Sequence, residues 1–169
     1  MNASDVTDLN ADTLSRAIHA RQLSCREVMQ AYLERIHRIN PRFNAIVSLA
    51  PDEHLLRQAD ECDAELARGA SRGWLHGIPQ AIKDASHASG FPTTFGSTLL
   101  ADAVASQDSL MTARMKAAGC IVIGKTNMPE FGLAAAVGSR LRDAGNPRTQ
   151  AQDLLATTEP DYVEVTDRH

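Results

Sequence analysis

The stretch DSLMTARMKAAGCIVIGKT, residues Asp108 to Thr126, changes its period halfway along. From Asp108 to Ala118 apolar residues recur at helical spacing, with Leu110, Ala113 and Ala117 as the inner stripe and Gly119 in the position of a C-cap. From Cys120 to Ile123 the apolar residues run without interruption, which reads as a buried strand. A helix leading directly into a short strand buried on both faces is the pattern of a parallel sheet covered by helices.

The same stretch fits G-x-x-x-x-G-K-[ST] from Gly119 to Thr126, the formula of a nucleotide-binding loop. Such a loop needs a strand before its first glycine, a turn whose N–H groups surround the phosphates, and a helix opening at the lysine. Here a helix precedes Gly119, and Ile121, Val122 and Ile123 are β-branched residues that favour extended backbone. A downstream helix capped by Thr126 or Asn127, with Pro129 in its first turn, stays open. Nucleotide binding at Gly119–Thr126 is nonetheless the weakest functional reading. The better one is a helix-closing glycine, a core strand, and a second glycine, Gly124, where the strand leaves the sheet.

Upstream, the order of elements agrees with a helix-covered sheet. Asp12 reads as the N-cap of a helix over 12–21 carrying Leu14 and Ile18. Ser24-Cys25-Arg26-Glu27 is a capping box, and Val28, Tyr32, Ile36 and Ile39 continue at helical spacing until Asn40-Pro41 stops it. Phe43 to Ala50 reads as a strand. Pro51-Asp52 then opens a helix with Leu55, Ala59, Cys62 and Leu66 on one face, ending at Gly69. From Ser71 to Gly96, glycines and prolines shape the backbone, and only Gln80 to Ile82 has strand character. Ala134 to Val137 could extend a helix; from Ser139 onward no apolar period survives, and a poorly ordered tail is expected.

With 169 residues, 43% apolar and 22% charged, the chain is sized for one ordinary core. Its net charge of −4 gives no electrostatic footprint for nucleic acid. Cys25, Cys62 and Cys120 lie far apart and form no C-x-x-C pair, so they read as reduced, buried residues of a cytoplasmic protein. There is no secretory leader pattern and no apolar run long enough to span a membrane. His19, His37 and His54 fall on helices without metal-ligand spacing, and neither metal nor cofactor is expected. Arg26, Arg35, Arg38 and Arg42 are interleaved with Glu27 and Glu34, which describes a solvated helix face. Trp74 reads as a packing residue.

The segment HGIPQAIKDASHASGFPTTFGS, His76 to Ser97, is the one with chemistry to offer. Two readings of Lys83 stand side by side. In one, Lys83 and Asp84 are simply exposed at a strand's end. In the other, Lys83, preceded by Ala81 and Ile82, is partly desolvated, which lowers its pKa and suits it to act as a general base.

Taken together, Leu75 to Ser97 and Asp108 to Gly132 resemble two blocks of the amidase signature family, and the helical start fits as well, so that the resemblance covers about Leu9 to Leu133. It implies an α/β fold, here N-terminal helices plus the first strands of a mixed sheet flanked by helices. The family cleaves amide bonds with a nucleophilic serine, a bridging serine and a lysine base, and Lys83 matches that lysine. Gly124 to Phe131 matches a segment near the active site. The family's glycine- and serine-rich element should follow Phe131, but no such run occurs, and there is no serine after Ser139. The resemblance therefore implies an incomplete amidase fold over 1–137 with a divergent tail over 138–169, truncated before the nucleophile and inactive alone. A small amide is the expected substrate class. The alternative is a non-catalytic fragment that associates with itself or a partner through unfilled sheet edges.

Overall fold

Ser24 opens the structure's longest described helix as its sequence requires. The computed structural model describes residues 3–132, and in it the Ser24 hydroxyl accepts the Glu27 N–H at 3.0 Å while the Glu27 carboxylate accepts the Ser24 N–H at 2.8 Å. This reciprocal box satisfies two donors that a helix start leaves open. Helices α1 (Ala3–Thr7) and α2 (Ala11–His19) precede α3 (Cys25–Phe43). The cap of α2 is Asn10 rather than Asp12: the Asn10 side chain accepts the Thr13 N–H, and Asp12, inside the first turn, pairs with Arg16.

Helix α3 runs through Asn40-Pro41, where the sequence suggested a stop. Pro41 sits in the last turn, so the donor it lacks disturbs only the helix end. The closing work falls to Asn40 and Asn44. The Asn40 side chain bonds both the N–H and the C=O of Ile46, each at 2.9 Å, and Asn44 adopts a left-handed φ of 49° to end the helix. Strand β1 consequently occupies Ile46–Leu49 and does not begin at Phe43. Helix α4 (Asp52–Ala67) buries Leu55, Ala59 and Cys62 as their spacing predicts. It packs against α3 and strand β3 (Ile121–Thr126), and α3 also reaches strand β2 (Pro79–Lys83).

Strand β3 (Ile121–Thr126) lies at the centre of the described sheet, with β1 antiparallel on one side and β2 (Pro79–Lys83) parallel on the other. This is the mixed sheet with flanking helices that the sequence implied. The strand does not end at Ile123, because Gly124, Lys125 and Thr126 go on pairing with both neighbours. A Cβ on Gly124 would lie 2.3 Å from the Ser48 carbonyl oxygen, so the missing side chain is what lets β1 approach. Gly124 therefore belongs to the sheet, and no helix opens at Lys125. The geometry contradicts nucleotide binding at Gly119–Thr126.

Helix α5 (Leu110–Ala117) is capped by Ser109, with Gly119 just past its end at φ +103°. Its inner face differs from the one expected. Leu110, Ala113 and Ala117 are exposed, while Thr112 is buried and Met115 half-buried. Thr112 is held inside by its hydroxyl contact with Ser109 and by packing that the helix's own pattern does not encode.

His76 is a satisfied core residue: its Nδ1 accepts the Arg72 N–H at 3.0 Å, which leaves Nε2 to donate to the Cys62 carbonyl, also at 3.0 Å. All three cysteines are free and buried, as expected. Trp74, expected to pack, is 60% exposed, and only its backbone carbonyl is engaged, by the Ser15 hydroxyl. The helical extension at 134–137 and the tail over 138–169 lie outside the described residues.

Candidate active site at the carboxyl edge of the parallel strands

In sheets of this kind, ligands bind beyond the carboxyl ends of parallel strands, because the chain there turns away and leaves backbone and side chains facing a crevice. Here that edge is formed by Lys83 opposite Thr126, followed by the Asp84 N–H donating to the Thr126 carbonyl at 3.0 Å. Lys83 thus sits at the edge the topology favours. Its side chain is exposed, as in the first of the two readings of the sequence, and the described residues do not supply the desolvation of the second. The cause is strand alternation: Ile82 and Asp84 are buried on either side of it, and Lys83 points out.

Directly beneath lies an ion pair that the sequence motifs did not point to. Lys125 is 0% exposed and Asp84 2% exposed, and the Lys125 ammonium donates to Asp84 Oδ1 at 3.3 Å. The same ammonium donates to the Pro92 carbonyl at 3.2 Å and to Thr93 Oγ1 at 3.0 Å, which uses all three of its hydrogens. Asp84 in turn accepts the Thr94 N–H, the Thr94 hydroxyl and the Gly96 N–H. Desolvation holds the Lys125 pKa below the usual lysine value, opposed by the Asp84 carboxylate beside it. Simple alternation along the sequence does not reveal this pair: a register shift in the β2–β3 pairing skips Ile123 and sets Lys125 opposite Ile82.

The pair ties the loop Pro92–Ser97 to the end of the sheet. Two further bonds join that loop to the segment after β3. The Phe95 carbonyl accepts the Phe131 N–H and Glu130 accepts the Ser97 hydroxyl, each at 2.8 Å. Phe95 and Phe131 both hold a φ of 51°, a left-handed conformation unusual for an aromatic residue. A Cβ on Gly96 would meet the Met128 carbonyl oxygen at 2.4 Å, so this close crossing of loops requires glycine. The result is a hydrogen-bonded rim at the carboxyl edge, with Lys83 next to Asp84 on it. Among the described residues no group of three or more His, Cys, Asp or Glu could hold a metal ion, and no helix is long and apolar enough to cross a membrane.

Comparison with known proteins establishes the family. The family profile described as Amidase matches residues 27–152, and the chain belongs to the amidase signature family. The match runs past Leu133, where the resemblance read from the motifs stops. An acylamidase from Rhodococcus erythropolis is 36% identical over 73% of this chain and 26% of its own length. A component of glutamyl-tRNA(Gln) amidotransferase from Bdellovibrio bacteriovorus is 36% identical over 78% of this chain and 26% of its own. Among solved structures, the native peptide amidase from Stenotrophomonas maltophilia superposes with a TM-score of 0.66 at 36% identity, over 73% of this chain and 26% of that one. The chain spans about a quarter of the length of these relatives.

Proposed function

We propose that this chain forms the lysine-bearing part of an amide hydrolase, with Lys83 as the base that acts on a serine. The observation carrying this reading is the position of Lys83 at the carboxyl edge of the β2–β3 pair, on a rim fixed by a buried ion pair. A lysine base must be neutral when it takes a proton, and covering its side chain is the ordinary way to lower its pKa. Chain packed over the rim would supply that cover. The 169 residues contain no glycine- and serine-rich run, so turnover requires that element from elsewhere. The substrate class is a small amide, which the named relatives support as far as their names go.

The test is complementation. The chain is mixed with a polypeptide carrying the part of the peptide amidase that it does not match, and an aryl amide and a serine-directed fluorophosphonate are added. Turnover and labelling in the mixture that vanish with Lys83→Ala are the expected result. Equal turnover with Lys83→Ala, or none with either chain, would sink the proposal. Labelling of the isolated chain that depends on Lys83 would show that one of its own serines is the nucleophile.

A second reading, association through open sheet edges, is favoured by a separate observation. Strands β1 and β2 are the outer strands of the described sheet, and Leu99, Leu110 and Trp74 expose large apolar side chains at 83, 68 and 60%. The two readings are compatible, since a partner on such an edge could be the chain that brings the serines.

A further inference from the structure

Asn127 follows β3 directly, one position past the residue paired with Lys83. Its carboxamide orientation is fixed, because Oδ1 accepts the Met128 N–H at 2.9 Å and a flipped amide would set donor against donor. Nδ2 is thereby the free end. That nitrogen is buried, and it is the buried side-chain polar atom without a hydrogen-bond partner among the described residues. Burying an amide donor with nothing to bond costs about 1–3 kcal/mol, so such groups in folded proteins call for an explanation.

The surroundings narrow what could complete it. The Asp84 carboxylate is already engaged by Lys125, Thr94 and Gly96, so it is not available to Asn127. Glu130 accepts the Ser97 hydroxyl on Oε1 and makes no hydrogen bond to Asn127. A side-chain N–H donor is completed by an acceptor oxygen, and it discriminates sharply against a ligand that lacks one, because the donor is then left unpaired. We infer that Asn127 Nδ2 is a binding donor for the carbonyl oxygen of a small carboxamide held at the carboxyl edge beside Lys83. The inference rests on the hydrolase reading for its ligand class. It adds a residue that recognises the amide by its oxygen, separate from the group that moves a proton.

The experiment is a titration of the 15N-labelled full chain with benzamide, followed through the Asn127 side-chain NH2 resonances, with benzylamine as the analogue lacking the carbonyl. The expected result is a saturable shift of those resonances with benzamide and none with benzylamine. Asn127→Asp keeps an oxygen for the Met128 N–H and removes the donor; it should weaken benzamide binding at least about tenfold. Resonances that stay put up to the solubility limit of benzamide, or that respond equally to benzylamine, would overturn the inference. The wild-type titration decides the matter even if Asn127→Asp folds poorly. The two proposals fail separately. Benzamide binding at Asn127 without Lys83-dependent turnover in the complemented enzyme would remove the hydrolase reading alone. Lys83-dependent turnover with KM unchanged in Asn127→Asp would remove this one alone.

Discussion

Lys125 and Asp84 illustrate how a buried charge behaves when it is fully bonded. Each would be costly to desolvate alone, and together with Pro92, Thr93, Thr94 and Gly96 they leave no hydrogen of the ammonium unused. Removing one partner strands the other, so Lys125→Met should cost about 3–5 kcal/mol in urea unfolding, and Asp84→Leu combined with Lys125→Met should recover most of that. If stability is all the pair provides, the double variant will resist proteolysis as the native chain does. If it pins the rim, cleavage near Phe95 will accelerate in the double variant despite recovered stability. At Cys120, burial pushes the thiol up to about 11, opposed by Lys116. Native chain near about pH 8 should therefore show little alkylation of Cys120 by iodoacetamide, and unfolded chain should react fully. Rapid native labelling would mean that the site opens readily.

At the scale of elements, the capping box and the glycine of β3 make distinct demands. The Ser24 N–H bond holds the Glu27 carboxyl below the usual glutamate range, helped by the Ser24 hydroxyl. A depressed folded pKa means that the contribution is present above the unfolded value, near about 4.3, and is lost as pH falls through the folded value. Melting temperature should therefore drop on acidification through that window, and less steeply in Glu27→Gln, which can still close the box without titrating. Identical slopes would show that the box adds nothing to acid sensitivity. Gly124→Ala places a methyl 2.3 Å from the Ser48 oxygen and should destabilise by about 1–3 kcal/mol, with the loss in the β1–β3 pairing. Loss of hydrogen-exchange protection at the β1 amides would locate it there. Helix α3, with its capping box, and helix α4, with its one-sided apolar stripe, were legible from sequence. The face of α5 was not, since it is chosen by what lies opposite rather than by the helix's own spacing.

For the whole molecule, the sheet of the described residues has β1 and β2 as its outer strands, and Leu99 and Leu110 expose large apolar side chains. Size-exclusion profiles should shift to earlier elution with rising concentration, and charged substitution of Leu99 or Leu110 should reduce the shift. Concentration-independent monomer elution would count against association through these surfaces.

The sequence by itself determined the elements that depend on neighbours in the chain: the Ser24–Glu27 box, the buried stripe of α4, the β3 run, and the motif blocks that define the family. It also placed Lys83 at the end of a strand. Tertiary structure alone decided which residues meet across the fold. Asp84 and Lys125 lie 41 positions apart and become partners only because β2 and β3 run parallel, with a register shift that sets Ile82 opposite Lys125. The same pairing absorbs Gly-Lys-Thr into a strand and turns a phosphate-loop formula into sheet interior. Local spacing fixes period and caps, whereas burial and charge pairing are set by distances through space, which no stretch of sequence contains.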